Sequence, residues 1–158
     1  MNKITLLIFM LLGFITISSA QTEEVIYQIV EQMPRFPGCE QLETKSKKEN
    51  CSVNNLMEYV YSNLEYPEEA IKNKVEGRVV VRFVVSDKGE IKKVKILRGI
   101  GSGCDESVKK LMLSMNNMEQ KWIPGSQDGK KVNVFYTMPV IFKLKNIINK
   151  NDIEENKK

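Results

Sequence analysis

Apolar and polar residues alternate along residues 77–99, and this stretch predicts a β-hairpin. In its first half, every second position is apolar, as in a strand with one buried face: Val79, Val81, Phe83 and Val85. Residues 86–89 end in Gly89 and are typical of a turn. The second half places Val94 and Ile96 on one face and Lys93 and Lys95 on the other. Two alternating runs joined by a short Asp/Gly loop predict a hairpin.

A second alternating run, residues 132–144, predicts a long third strand. Its apolar positions all fall on one face: Val132, Val134, Tyr136, Met138, Val140, Phe142 and Leu144. Pro139 lies inside this run and has no N–H to donate to a neighbouring strand. We therefore expect the third strand at an edge of the sheet, or bulged at Pro139.

Helical periodicity predicts three helices, over residues 54–64, 68–74 and 106–118. The first has an apolar face with helical spacing: Leu56, Tyr59, Val60 and Leu64. Pro67 suits the start of the second helix, and Asp105 can cap the third. Numbered in chain order, the strands are expected in the order 2-1-3, with a right-handed crossover to the third. The predicted fold class is α+β: a three-stranded antiparallel-type sheet with helices packed on one face.

The N-terminal residues differ in character from the rest of the 158-residue chain. Lys3 precedes an uncharged run over residues 4–22, densely apolar from 4 to 17, with small residues before Gln21. This pattern is typical of a secretory signal peptide, and an uncleaved membrane anchor is the alternative. We accordingly divide the chain into a signal peptide or anchor (1–20), an N-terminal strap (21–53), the main domain (54–145) and a disordered polar tail (146–158).

Export would place the three cysteines in an oxidising compartment, where one disulfide and one free thiol are expected. Three pairings are possible. We favour Cys39–Cys51, which flank a polar loop whose closure contributes about 3 kcal/mol. For Cys104 we expect a small buried side chain at a helix start, with a reactive redox thiol as the alternative.

Composition excludes several kinds of chemistry. The chain has no histidine, which removes Ser-His and Cys-His nucleophile pairs and the commonest zinc ligand. The net charge of +4 is spread along the chain, so nucleic-acid binding is not expected. No residues with metal-ligand spacing are present. We predict no catalytic residues, no metal and no cofactor, and therefore a protein that is not an enzyme.

The order of these features resembles the C-terminal domain of TonB-family proteins. The resemblance runs from about residue 56 to 144 and rests on the following motifs: Tyr66-Pro67-x-x-Ala70, the run 77–85, Gly89, Trp122-x-Pro124-Gly125, Gly129-Lys130-x-Val132 and Pro139-x-x-Phe142. The residues around Cys39, Cys51 and Cys104 resemble a cysteine-containing branch of that family. The resemblance implies a periplasmic module that supports energy-coupled transport across the outer membrane.

Family members bind an extended peptide, the TonB box, of an outer-membrane TonB-dependent receptor, by adding it to the third strand. Carried over by position, the resemblance implies a partner-binding surface made of two groups of residues: Asn63, Glu65, Tyr66 and Pro67, and Asn133, Phe135 and Thr137. For Tyr66 and Pro67 a purely structural role, a helix stop with a buried ring, is the alternative. Inner-membrane motor proteins or a homodimer are further partners that the resemblance implies.

An energy transducer needs a retained membrane helix and a long spacer, whereas here the N-terminal segment resembles a cleavable one and the spacer is short. The alternative function is therefore a soluble secreted adaptor, or a self-associating envelope protein, that uses the same edge strand without transducing energy. A small thiol-redox enzyme built on Cys104 is a third hypothesis. The expected location is the periplasm, with an inner-membrane anchor if the N-terminal segment is retained.

Overall fold

The predicted hairpin forms the centre of the sheet in the computed structural model, which describes residues 24–144. Strand β2 (Gly77–Val85) pairs antiparallel with β3 (Ile91–Arg98) on one side and with β5 (Lys130–Phe142) on the other. The order 2-1-3 predicted for these three strands is confirmed. The predicted signal segment and polar tail lie outside the described residues.

The sheet has more strands than we predicted. A two-residue strand, β1 (Ile26–Tyr27), pairs parallel with β5, and β4 (Gly125–Gln127) forms a hairpin with the start of β5. The five-stranded sheet has the order β1-β5-β2-β3, with β4 paired to β5. The prediction of three strands was wrong because β1 and β4 are too short to show an alternating pattern.

The helices lie on one face of the sheet, and the first is longer than predicted. Helix α1 spans Lys45–Asn63 and is capped by the Thr44 side chain, which accepts a hydrogen bond from the Lys47 N–H at 3.3 Å. Its first turns carry no apolar residue, so periodicity placed the start nine residues too late. Helix α2 spans Glu68–Lys72.

The third helix also begins earlier than predicted, and Asp105 is not its cap. Helix α3 spans Cys104–Ser114 with Gly103 as N-cap, and a short 3₁₀ turn, Met115–Asn117, follows. The Asp105 carboxylate instead accepts a hydrogen bond from the Ile100 N–H at 2.9 Å. Asp105 therefore fixes the glycine-rich connection between β3 and α3.

The core fills the space between the inner sheet face and the helices. Val79, Val81, Phe83 and Val85 of β2 are fully buried there, as the alternation predicted. Trp122 packs edge-on against the rings of Phe36, Phe83 and Tyr136, at centroid distances of 5.5, 5.6 and 5.2 Å. Since Phe36 belongs to the N-terminal strap, the strap is part of the core.

The strap is held to the rest of the fold at several points. Backbone bridges join Gln32 to Ser126 and Arg35 to Ile123. The predicted disulfide between Cys39 and Cys51 is present, and it ties the part of the strap that precedes α1 to this helix. These links hold Phe36 against the aromatic rings of the core.

We expect loss of this disulfide to destabilise the fold. The double variant Cys39→Ala/Cys51→Ala should have a free energy of unfolding lower by about 3 kcal/mol, because the unfolded chain regains the entropy that closing the loop removes. Urea denaturation measures the change. Reductant should cause the same loss in the wild type and no further loss in the variant. Equal midpoints for the oxidised wild type and the variant would contradict this expectation.

We expect a side chain at Gly89 to destabilise the fold through a steric clash, and Gly129 serves as the control without that clash. Gly89 has φ +75°, and a Cβ there would lie 2.1 Å from the Trp122 carbonyl oxygen. Gly129 has a similar φ of +71° but open space around it. Gly129→Ala should therefore cost about 1–2 kcal/mol from backbone strain alone. Gly89→Ala should cost about 1–3 kcal/mol more, because the turn must move. Similar denaturation midpoints for the two variants would show that the contact with Trp122 carries no cost.

Candidate functional site

The candidate site is the outer edge of β5, the side that faces away from β2. Among the described residues, only β1 pairs with this side, and its ladder ends at Val134. Pro139 lies opposite Val80 in an unbroken antiparallel register. Such pairs alternate between those that exchange hydrogen bonds and those that do not, and proline fits only the second kind. The backbone polar groups of Pro139 therefore point away from β2.

The same alternation fixes the direction of the neighbouring backbone groups. Thr137 and Ile141, two residues on either side of Pro139, direct both their N–H and C=O groups outward. Pro139 presents only its carbonyl. Within residues 24–144 no strand covers this stretch, which we call the open edge (residues 137–141).

Phe135 and Thr137, two of the predicted site residues, lie at the start of this edge. Thr137 is exposed, and Phe135 is half-buried on the outer face of the sheet. The guanidinium carbon of Arg82 lies 4.7 Å from the centre of the Phe135 ring. This is a cation–π contact, which links the Phe135 side chain of β5 to Arg82 of β2.

Asn133, the third site residue predicted on β5, lies outside the open edge. Its backbone faces Ile26 of β1, so the chain's own strap occupies this position. The Asn133 side chain accepts a hydrogen bond from the Asp87 N–H at 3.1 Å. Periodicity could not reveal this, because a two-residue strand has no pattern of its own.

The second predicted group follows the end of α1, beside α3. The Asn63 amide donates to the Tyr59 carbonyl at 2.8 Å. The Glu65 carboxylate pairs with the Lys110 ammonium of α3 at 2.9 Å, and the Ser107 hydroxyl donates to the Glu65 carbonyl. Asn63 and Glu65 are thus fixed by local and helix contacts.

Tyr66 connects this segment to the far end of β5. Its ring packs edge-on against Phe142, with centroids 5.1 Å apart, and its hydroxyl donates to the Val75 carbonyl at 2.5 Å. Burial raises the pKa of the phenol, with smaller contributions from Cys104 and Glu76. Pro67 precedes α2, and a Cβ at Gly103 would lie 3.2 Å from its Cβ. Both residues therefore have structural roles.

The two predicted groups do not form one cluster. Phe142, which Tyr66 contacts, lies nine residues along β5 from Asn133, or about 30 Å in an extended strand. The open edge lies between them, so an extended ligand along it would have Tyr66 near one end and Phe135 near the other.

A groove that we did not predict lies beside Tyr66, with a volume of about 600 Å³. It runs between the segment after α1 and the start of α3. Its lining residues are Glu65, Tyr66, Pro67, Glu68, Gly103, Glu106, Ser107 and Lys110. Its α3 residues, Glu106, Ser107 and Lys110, have the spacing of one helix face, which can be read from the sequence. That spacing indicates a groove only once the segment facing the helix is known.

Cys104 does not have the surroundings of a reactive thiol. It is free and fully buried at the start of α3. Burial raises the pKa of its thiol, and the nearby carboxylates of Asp105 and Glu106 raise it further. The neutral thiol therefore predominates at neutral pH, and packing explains the residue.

No helix within residues 24–144 combines the length and apolar character needed to cross a membrane. The fold and the edge together define a class: an α+β domain with helices on one sheet face and a partly open edge strand.

Comparison with known proteins identifies the family. The model of the Gram-negative bacterial TonB protein C-terminal family matches residues 62–144, more than half of the chain. The chain therefore belongs to the TonB C-terminal family, which takes part in TonB-dependent transport and whose proteins are associated with the cell envelope. No curated protein sequence matches the chain significantly.

Solved TonB C-terminal domains are also similar to this chain. A structure from Helicobacter pylori has 17% identity, covers 59% of this chain and 94% of its own, and gives a TM-score of 0.44. A second one from the same organism has 16% identity, covers 58% and 79%, and gives 0.46. The domain from Pseudomonas aeruginosa has 28% identity, covers 51% and 78%, and gives 0.40.

The Tyr66 hydroxyl should contribute measurably to stability. Tyr66→Phe removes the bond to Val75 and should lower the free energy of unfolding by about 1 kcal/mol at pH 7. Because the folded state raises the phenol pKa, this contribution is complete below the unfolded pKa of about 10 and is lost as the pH rises through the folded pKa. The difference between wild type and variant, measured by urea denaturation at several pH values, should therefore shrink above about pH 10.

Tyr61 provides the control for this comparison. Its ring is exposed on α1, and its hydroxyl has no hydrogen bond to any residue within 24–144. Tyr61→Phe should leave the unfolding free energy within about 0.5 kcal/mol of wild type. A Tyr66→Phe variant as stable as Tyr61→Phe would show that the bond to Val75 contributes nothing.

Proposed function

We propose that this chain is a TonB-like binding module of the periplasm that docks an extended peptide, the TonB box of an outer-membrane TonB-dependent receptor. The peptide adds as a strand to the open edge of β5. In this way the chain supports energy-coupled transport. The observation that carries the proposal is the outward direction of the backbone groups of Thr137, Pro139 and Ile141.

Strand addition suits this edge for a physical reason. Each unpaired N–H or C=O that gains a main-chain partner contributes about 0.5–1.5 kcal/mol net. Pairs at Thr137 and Ile141 supply a donor and an acceptor each, while Pro139 supplies an acceptor alone. A bound peptide must therefore leave one of its acceptors unpaired opposite Pro139, and this restricts its register.

The surroundings of the edge add selectivity to the backbone bonds. Side chains of an added strand alternate between the two sheet faces. On the outer face they meet Phe135 and the guanidinium of Arg82, which favours aromatic or acidic side chains. At the far end they approach Tyr66, whose ring is already held by Phe142 and Val75.

The chain's own strap sets one boundary of the site. Ile26 and Tyr27 occupy the edge at Asn133 and Val134. We place the docked peptide beyond this point, where it does not contact the backbone of Asn133. The proposal keeps Phe135, Thr137 and Tyr66 as partner contacts, with Glu65 and Pro67 supporting Tyr66.

A substitution that removes one N–H tests the proposal. Thr137→Pro deletes an outward donor without removing a bond to β2, and Thr137→Ala removes the side chain while keeping the donor. Binding of synthetic TonB-box peptides, followed by NMR amide shifts, should weaken at least about tenfold in Thr137→Pro and change little in Thr137→Ala. Thermal unfolding of each variant confirms that the fold persists.

Two results would count against docking at this edge. If TonB-box peptides cause no amide shifts in the wild type, the module does not bind them. If Thr137→Pro binds as well as the wild type, the peptide uses another surface, such as the groove beside Tyr66. A concentration-dependent dimer that Thr137→Pro abolishes would instead support self-association through the same edge.

A further inference from the structure

The sheet face opposite the helices carries many cations and few carboxylates. The strand registers place Arg78, Arg82, Lys92, Lys95 and Arg98 on this side of β2 and β3, in phase with half-buried Val80. Lys93, at a bulge in β3 with φ 51°, adds a sixth cation beside them. We call this surface, residues 78–84 and 92–98 on the side away from the helices, the basic face.

Most of these charges have no carboxylate partner within residues 24–144. Lys93 pairs with Glu24 at 2.9 Å. Among residues 24–144, no carboxylate lies within 4.0 Å of the charged groups of Arg78, Arg82, Lys95 or Arg98. Arg82 and Lys95 stand directly opposite each other on neighbouring strands. Like charges in that position destabilise a sheet, so their presence is costly unless an anion is bound.

The contact between Glu24 and Lys93 limits how far the basic face can lie from the apolar run near the N-terminus. Its pKa is lowered by the hydrogen bond from Lys93 and by the charges of Lys93 and Lys92, so its carboxylate sits over the basic face. In the sequence, the densely apolar run over residues 4–17 ends seven residues earlier. Seven residues span about 25 Å at most. When that run is in a bilayer, the basic face is therefore held within about 25 Å of it.

From these observations we propose that the basic face binds the headgroups of anionic phospholipids and lays the sheet flat on a membrane. Phosphate oxygens would supply the anionic partners that Arg82, Lys95 and Arg98 lack among residues 24–144. Arg suits phosphate because its planar group can donate two parallel bonds. Exposed Leu97 lies between Lys95 and Arg98 in β3, and an apolar side chain beside cations can insert among lipid headgroups. This inference goes beyond the proposed function, because it uses neither the open edge nor a peptide.

Vesicle sedimentation tests this proposal. The probe protein is the chain from Gln21 to Lys158, which keeps every buried core residue found within 30–142. It should sediment with vesicles of phosphatidylcholine containing 30% phosphatidylglycerol, but not with pure phosphatidylcholine. Binding should weaken as salt is raised, since surface cations are screened.

Charge reversal locates the contact. Lys95→Glu/Arg98→Glu lies on the basic face, and Lys47→Glu/Lys109→Glu changes the net charge equally at exposed positions on α1 and α3. Each cation near an anionic surface strengthens binding about fivefold, so the first variant should bind at least about 25-fold more weakly. The second variant should stay within about threefold of wild type.

Two outcomes would overturn the proposal. Failure of the wild type to sediment with anionic vesicles at low salt would show that the face does not bind lipid. Equal loss in both variants would show that only net charge matters. Peptide docking is measured separately, because Lys95→Glu/Arg98→Glu leaves the open edge intact and should still bind TonB-box peptides.

Discussion

The antiparallel pairing of β2 with β5 is the interaction on which the rest of this structure depends. It runs in register from Gly77, opposite Phe142, to Val85, opposite Val134. Because the register fixes the face of every side chain, a slip of one residue would move Val79, Val81 and Phe83 out of the core. The same register turns Pro139 away from β2 and so decides which backbone groups remain unpaired. The core and the open edge are therefore set together.

The N-terminal strap explains why the fold needs more than the region that the family model matches. That match begins at residue 62, yet Phe36 packs against Trp122 and Ile26 pairs with Asn133. The Cys39–Cys51 bond fixes the strap to α1 and limits how far it can move from the sheet. By covering Asn133 and Val134, the strap shortens the edge that a partner could use. A segment outside the family match thus shapes the candidate site.

Sequence reasoning succeeded where a long pattern existed and failed where structure depends on few residues. The hairpin, β5 and their order follow from alternation and from the missing N–H of Pro139. The disulfide was favoured among three possible pairings because Cys39 and Cys51 flank a polar loop. Strand β1 could not be predicted, because pairing of two residues with Asn133 and Val134 leaves no periodic signal. The early start of α1 was missed because its first turns are all polar and depend on Thr44 and the nearby disulfide.

The site was predictable to a similar extent, and for related reasons. Alternation correctly predicted the strand that carries Phe135 and Thr137, and the resemblance named these two residues as partner contacts. The pairing of Asn133 with Ile26 is a tertiary contact that neither could reveal. The groove residues Ser107 and Lys110 gain meaning only from their contacts with Glu65, 42 and 45 residues away in the chain. The role of Asp105 was predicted wrongly because its carboxylate can accept a hydrogen bond either from the first turn of a helix or from the preceding loop. In the structure it accepts one from Ile100 in the loop. Sequence patterns predicted the helix or strand in which these residues lie, but not the residues that they contact.

The open edge and the basic face are next to each other, but their binding groups point in perpendicular directions. Strand addition employs backbone groups that lie in the plane of the sheet, whereas an anionic surface meets side chains that stand perpendicular to it. Arg82 is the point at which the two meet, since it faces Thr137 across one ladder and Lys95 across the other, with its guanidinium on Phe135. A bound strand would thus widen the sheet without covering Lys95 or Arg98. The geometry is consistent with one domain that holds an extended peptide at its edge while its face lies on a membrane.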